Sequence, residues 1–130
     1  MNGFSARSDV GDVIYGYHRH TLEIVCDLTS RVVAHLDVDL MPFCEGKASL
    51  DRLYVAPGYR QRGLASYLLE WAEREYAGNR LILFPSSEYT DDGDMSQAEL
   101  YEMYRRRGYQ PEGDDILDNW YKDVPASIDH

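Results

Sequence analysis

Residues 48–77 constrain this chain more than any other stretch, because they demand a strand that turns abruptly into a helix. Ala48-Ser49-Leu50-Asp51-Arg52-Leu53-Tyr54-Val55 is a β-type run. From Leu64 onward, Leu64, Ala65, Leu68, Leu69, Ala72 and Tyr76 recur at helical spacing. An amphipathic helix is therefore expected to about Ala77, ended by Gly78-Asn79. Only Ala56-Pro57-Gly58-Tyr59-Arg60-Gln61-Arg62-Gly63 lie between. A helix that starts straight off a strand leaves its first backbone N–H groups without acceptors. Those donors, with the positive end of the helix dipole, make a site for an anion such as a pyrophosphate. Gly63 lets a ligand approach the backbone without meeting a Cβ, and Ala65 keeps the next position small.

The other elements fall on either side of this junction. Asp12–Tyr17 and Thr21–Asp27 are short β-type runs, and Leu28-Thr29-Ser30 suits a hairpin into the next. That next run, 31–40, alternates: Val33, His35, Asp37 and Asp39 take one face, and Val32, Ala34, Leu36, Val38 and Leu40 take the other. Residues 41–47, with Pro42 and Gly46, are a connection. Arg80–Phe84 is a short apolar strand, and 85–94 is an acidic loop. Ser96 with Glu99 three residues on has the pattern of a capping box. A second helix is expected from there to Arg107, stopped by Gly108. Tyr109-Gln110 and 117–123 supply two final strands. No repeat, low-complexity tract or linker interrupts the 130 residues, which make one domain, 1–130.

Two of these segments carry a resemblance. The spacing Arg60-x-x-Gly63-x-Ala65 resembles the acetyl-CoA pyrophosphate loop, Arg/Gln-x-x-Gly-x-Gly/Ala, of the GNAT superfamily of N-acetyltransferases. The lead-in Val55-x-Pro57-x-x-Arg60 is also typical of that family. Residues 97–109 are similar to its second signature, Asn-x-x-Ala-x-x-Leu/Phe-Tyr-x-x-x-Gly-Phe. Met103-Tyr104 falls on the aromatic pair and Tyr109 on the final aromatic. Gln97 stands where Asn is usual, and Leu100 where a small residue is usual.

The resemblance implies an α/β domain with a central mixed, mostly antiparallel sheet flanked by helices. It also implies a function, direct transfer of acetyl from acetyl-CoA to a primary amine of a small molecule or a protein. The rival reading is a non-catalytic acyl-CoA-binding module of the same fold, used in regulation or assembly. By resemblance, the main chain of Leu53, Tyr54 and Val55 holds the pantetheine. Arg60, Gln61, Arg62, Gly63, Leu64 and Ala65 surround the pyrophosphate, Gln97 faces the pantetheine arm, and Tyr104 donates to the departing thiolate. For the amine's proton, Asp51 lies four residues before Val55, where some relatives carry Glu. Strict alternation expects it on the face of Leu53 and Val55. Its other reading is a strand-edge carboxylate paired with an Arg. His35 is the second candidate base, and a water chain to bulk solvent is a third route.

Family members usually place two helices between the first two strands, as a wall of the acceptor site. Only Gly16–His20 separates those runs here. The helical pair is therefore expected to be reduced or absent, leaving apolar sheet surface and an open acceptor side. A homodimer is expected to cover them.

Charge narrows the partners. A net charge of −10 argues against a nucleic-acid backbone. From Phe84 to Asp123 there are eleven Asp and Glu against four Lys and Arg, whereas Arg52, Arg60 and Arg62 cluster about the turn. Two readings stand: an anionic cofactor on one side with a cationic amine on the other, or an acidic surface kept for solubility. Arg105-Arg106-Arg107 suits the negative end of a helix dipole. No metal-ligand spacing and no membrane-length apolar run are present. Residues 1–7 lack the apolar core of a signal peptide. Cys26 and Cys44 are isolated, so a reduced, cytoplasmic protein is expected.

Overall fold

A computed structural model describes residues 2–14, 17–40, 46–59, 62–85, 97–114 and 119–126. Along the chain come β1 (Phe4–Ile14), β2 (Tyr17–Cys26), β3 (Val32–Leu40), β4 (Lys47–Val55) and α1 (Leu64–Glu75). Then follow β5 (Arg80–Leu83), α2 (Gln97–Arg106), β6 (Gln110–Pro111) and β7 (Trp120–Asp123). The strands form one sheet in the order β1-β2-β3-β4-β5-β7-β6. Every pairing is antiparallel except β4 with β5. A parallel pair needs a crossover, and α1 supplies it. This is the mixed, mostly antiparallel sheet that the sequence implies.

The N-terminal third departs from the expected boundaries. β1 begins at Phe4 and pairs with β2 from Phe4↔Cys26 to Ile14↔Tyr17. Within the expected run 12–17, residues 12–14 thus belong to the end of β1 and Tyr17 to the start of β2. Ser5 to Asp9 are exposed and offer no buried stripe, so a hydrophobic pattern does not reveal them as a strand. No helix intervenes between β1 and β2, and the helical pair expected to be reduced is absent there.

Cross-strand partners share a face of a sheet, so the register shows where the helices sit. Ala48, Leu81 and Lys122 lie in line, as do Leu50, Leu83 and Trp120. Lys122 Nζ reaches Glu73 of α1 at 2.7 Å. The Trp120 ring stacks on Tyr101 of α2, 5.1 Å between centroids. Both helices therefore cover the same face. Beneath them the core gathers Leu22 and Ile24 of β2, Ala34, Leu36 and Val38 of β3, and the stripe Leu64, Leu68, Leu69 and Ala72 of α1. Leu100, Tyr101 and Tyr104 bring α2 into it.

Glu73 ties these layers together. Besides Lys122 it accepts from Arg107 Nη2 and the Tyr109 hydroxyl, each at 3.4 Å. Gly108, at φ 94°, ends α2 in a Schellman arrangement. The N–H of Tyr109 bonds the Tyr104 carbonyl and that of Gly108 the Arg105 carbonyl, both at 3.0 Å. Ser96 of the expected capping box and residues 86–94 of the acidic loop lie outside the described residues.

The opposite face carries no helix among the described residues, and it is polar. Arg7 pairs with Glu23 at 2.8 Å, Arg19 with Asp39 at 2.7 Å and Arg80 with Asp123 at 2.7 Å. Arg80 also lies over the Tyr121 ring at 4.2 Å. An antiparallel sheet can leave one face solvated in this way. Among the described residues the ion-paired part of this face is polar where apolar sheet surface was expected. The polar alternation of β2 and β3 supplies a water-compatible face instead.

Two bulges break that alternation. In β3 the register shifts between Ile24 and Val25, and Val33 joins Ala34 in being buried rather than siding with His35. In β4 the shift lies between His35 and Asp37, and Arg52 takes φ 52°. A left-handed residue with a Cβ costs about 1–2 kcal/mol. Arg52→Gly is expected to hold or raise stability, whereas Arg52→Val should lower it by about 1–2 kcal/mol relative to the Gly variant. Urea unfolding of the two charge-matched variants measures the difference. Equal midpoints would remove the left-handed bulge.

Candidate functional site

β4 and β5 are in register from Lys47↔Arg80 to Leu50↔Leu83. β5 then stops, and β4 runs on through Asp51–Val55. The two parallel strands part at their C-terminal ends, the place where open α/β sheets hold ligands. Phe84, the residue after β5, is left 57% exposed at that end.

The β4 bulge decides which side chains point where. Two residues, Arg52 and Leu53, oppose Leu36 alone, because Asp37↔Asp51 is followed by His35↔Tyr54. Leu50 and Val55 share the buried face with their partners Val38 and Ala34. Asp51 and Tyr54 share the other face with Asp37 and His35. The expectation that Asp51 lies on the face of Leu53 and Val55 is therefore corrected. Strict alternation fails because the left-handed Arg52 inserts one extra residue.

Beyond Val55 the chain is pinned before it reaches the helix. Ala56 N–H bonds the Val33 carbonyl at 2.7 Å, and Tyr59 N–H bonds the Ala56 carbonyl at 3.1 Å. Tyr59 meets Phe4 edge-on at 6.1 Å, and the Arg62 guanidinium lies 5.5 Å from the Tyr59 ring centre. Arg60 and Gln61 lie outside the described residues. Gly63 is the N-cap of α1 at φ 79°, and a Cβ built on it meets nothing within 4 Å. The first helical bond runs from Tyr67 N–H to the Gly63 carbonyl at 3.0 Å. The amides of Leu64, Ala65 and Ser66 are thus left without an intrahelical acceptor. Among the described residues no side chain caps this end, and no acidic residue occupies its first turn. A helix start with free amides and no acidic residue in its first turn fits an acyl-CoA pyrophosphate.

Tyr104 sits on α2, on the helix-covered side, 4% exposed and edge-on to Tyr109 at 5.6 Å. Burial holds its phenol above the ordinary value. The neighbouring arginines are engaged elsewhere: Arg105 over Trp120, Arg106 with Glu102 and Arg107 with Glu73. Tyr104 is therefore a protonated hydroxyl at neutral pH. Gln97 opens α2, and Leu53 and Val55 are both buried.

On the open face, Asp51 belongs to a group that sequence reasoning left scattered. Arg19 of β2 holds Asp39 in a two-pronged bond, Nε to Oδ1 at 2.8 Å and Nη2 to Oδ2 at 2.7 Å. Its Nη1 lies 3.6 Å from Asp37 Oδ2, and its Nη2 lies 4.0 Å from Asp51 Oδ2. Asp37, 7% exposed, accepts from the Thr21 hydroxyl at 2.7 Å. Asp51 has Ser49 Oγ at 3.3 Å. Burial and the hydrogen-bonded Asp39 push Asp51 up to about 7, while Arg19 holds Asp39 below the usual carboxylate range. His35 lies on the same face beyond the bulge, 5.5 Å from the Tyr54 ring. The signal for Asp37 and Asp39 was their i, i+2 spacing on the polar side of β3. Only the register brings them to Asp51 and Arg19.

With this geometry in hand, the comparisons with known proteins are decisive for the family. The sequence profile of the acetyltransferase (GNAT) domain matches residues 18–111. The chain belongs to the GNAT acetyltransferase family. Among solved structures, it is similar to a protein from Klebsiella pneumoniae assigned as an acyl-CoA N-acyltransferase. That match has TM-score 0.60 and 22% identity, over 82% of this chain and 72% of that one. An acyl-CoA N-acyltransferase from Pseudomonas aeruginosa matches at TM-score 0.55 and 23% identity, over 80% and 67%. The anti-CRISPR protein AcrVA5 matches at TM-score 0.52 and 21% identity, over 68% of this chain and 87% of that one. No curated protein matches at a significant level. At these identities the likeness establishes the fold. Among the described residues no helix is long and apolar enough to cross a membrane.

The raised proton affinity of Asp51 has a thermodynamic sign. A carboxyl that binds its proton more tightly when folded contributes stability at acid pH, and that contribution is lost as pH rises from about 4 to about 7. Asp51→Asn removes the loss. The variant is expected to gain in melting temperature relative to the parent as pH rises from about 4.5 to about 7.5. Parallel melting curves across that range would show that Asp51 titrates as in the unfolded chain.

Proposed function

We propose that the protein is an N-acetyltransferase that moves acetyl from acetyl-CoA to a primary amine, on a small molecule or a protein. The observation that carries this reading is the uncapped α1 start at Gly63, reached by β4 just after it leaves β5. Arg62, Gly63, Leu64 and Ala65 would hold the pyrophosphate through their amides and the helix dipole. Arg60 and Gln61 are assigned to it on their place in the motif. The main chain of Leu53, Tyr54 and Val55 would hold the pantetheine, with Gln97 on its other side. When bound, acetyl-CoA supplies the activated acyl group.

The chain's own groups then divide the work across the sheet. Tyr104, on the covered side, keeps its proton and donates a hydrogen bond where negative charge develops on sulfur. Asp51, on the open side, takes the proton that an ammonium must lose before its nitrogen can attack. His35 is the alternative acceptor of that proton. The polar, carboxylate-bearing face suits a cationic acceptor and leaves its approach open. We further infer a reduced, cytoplasmic setting from isolated cysteines, of which Cys26 is a buried free thiol.

Two variants test this. Gly63→Asp places a negative charge at the pyrophosphate position; because Gly63 is left-handed at φ 79°, circular dichroism first checks that the strained variant folds. CoA binding is expected to weaken tenfold or more, on the order of 1.4 kcal/mol by calorimetry. Unchanged affinity would remove the turn from the cofactor site.

Tyr104→Phe keeps the ring and its packing but deletes the hydroxyl. CoA affinity should hold while kcat falls about 10- to 1000-fold, because the lost bond strengthens only as charge develops. A thiol-release screen over polyamines, amino acids, aminoglycosides, lysine peptides and protein N-termini supplies the acceptor. Tight CoA binding with no amine ever acetylated would favour the non-catalytic module.

A further inference from the structure

The open sheet face poses a question of proton placement. Three carboxylates, two on β3 and one on β4, face one guanidinium at different distances. Their partners rank them. Asp39 has both oxygens on Arg19, at 2.8 and 2.7 Å. Asp37 has the Thr21 hydroxyl at 2.7 Å and Arg19 at 3.6 Å. Asp51 stands 4.0 Å from the same guanidinium, beyond a hydrogen bond, with only the Ser49 hydroxyl among these donors at 3.3 Å.

We propose that Arg19 and Asp39 are positioning residues for Asp51: Arg19 keeps the charge on Asp39, and Asp39 in turn keeps the exchangeable proton on Asp51. This rests on the reading above that Asp51 serves the acceptor amine. The proton passes from the ammonium nitrogen to an Asp51 oxygen, leaving a neutral amine and a carboxylic acid that returns the proton to solvent. Asp51 is suited to this because its affinity is matched to neutral pH.

The surroundings of Asp51 bear on its titration from each neighbouring strand. β3 presents Asp37, Asp39 and His35, and β2 presents Arg19 with Glu23 farther along. β1 presents Arg7 and Asp9 opposite Glu23 and Thr21. β4 itself adds Lys47 and Arg52, and β5 adds Arg80 opposite Lys47. Both described helices lie on the other face. Of these groups, Asp39 and Arg19 are the charges that act most directly on Asp51.

Carbon-13 NMR titration of the aspartate carboxyls in the whole protein tests this without any acceptor. Asp39→Asn replaces the charged neighbour with an amide that can donate, so the Asp51 midpoint is expected to fall by about one pH unit or more. Arg19→Gln frees Asp39 to compete for the proton. The pair's first midpoint should then rise, with both resonances moving together. Arg19→Lys restores the charge and should return most of the separation, which guards against a merely unfolded Gln variant. A simple structural ion pair predicts lowered melting temperature with an unmoved Asp51 midpoint, and that result overturns the proposal.

The acid limb of kcat/KM separates the two claims. If it follows the NMR midpoints, both stand. Midpoints that move while Asp51→Asn keeps the acid limb support the positioning network and sink Asp51 as the base.

Discussion

The pairing of β4 with β5 governs the molecule. Four residue pairs, Lys47↔Arg80 to Leu50↔Leu83, are enough to set the two strands parallel. Parallel strands force the chain over one face, and α1 makes that crossing. β5 ends at Leu83 while β4 continues to Val55, so the pairing ends toward the side from which the chain enters α1. The helix start, its dipole and the free end of the sheet thereby fall at one place.

The rest of the core serves to hold that arrangement. Leu64, Leu68, Leu69 and Ala72 fix α1 on the sheet, and Trp120 stacked on Tyr101 fixes α2 beside it. Glu73 joins α1 to β7 and to the end of α2 through Lys122, Arg107 and Tyr109. Such a partly buried ion cluster is weak evidence for stability, since desolvation offsets much of its attraction. Its value lies in register: it accepts one relative placement of three elements. Arg107 Nε, buried without a hydrogen-bond partner among the described residues, marks the cost of that placement.

A sheet face that carries no helix among the described residues must be compatible with water. Among the described residues this one achieves it with cross-strand ion pairs. Arg7–Glu23, Arg19–Asp39 and Arg80–Asp123 each span neighbouring strands, so the charges are balanced locally while the face stays open. The exception is the site of interest. Around Asp51 one guanidinium serves three carboxylates, and burial with the neighbouring Asp39 raises the proton affinity of Asp51. The same polar alternation that removes the need for a helical wall thus creates a group poised near neutrality.

The sequence by itself determined the strand–turn–helix unit at Val55–Leu64, the helical stripe of α1, the end of α2 at Gly108, and the family. Each is written in local spacing: helical periodicity, a glycine that must turn left-handed, a motif of adjacent residues. It located Gly63 and Tyr104 as candidates for the same reason. What it did not contain was any relation between distant strands. The first part of β1 escaped notice because it buries no stripe, and the face of Asp51 came out wrong because one left-handed residue, Arg52, resets the alternation. Asp37 and Asp39 were visible only as the polar half of a strand. Their meeting with Arg19 and Asp51 depends on the pairing register of three strands, and a one-residue shift in any of them would send those side chains to the other face. Register is set by the packed core and the bulges together, so only the tertiary structure could decide it.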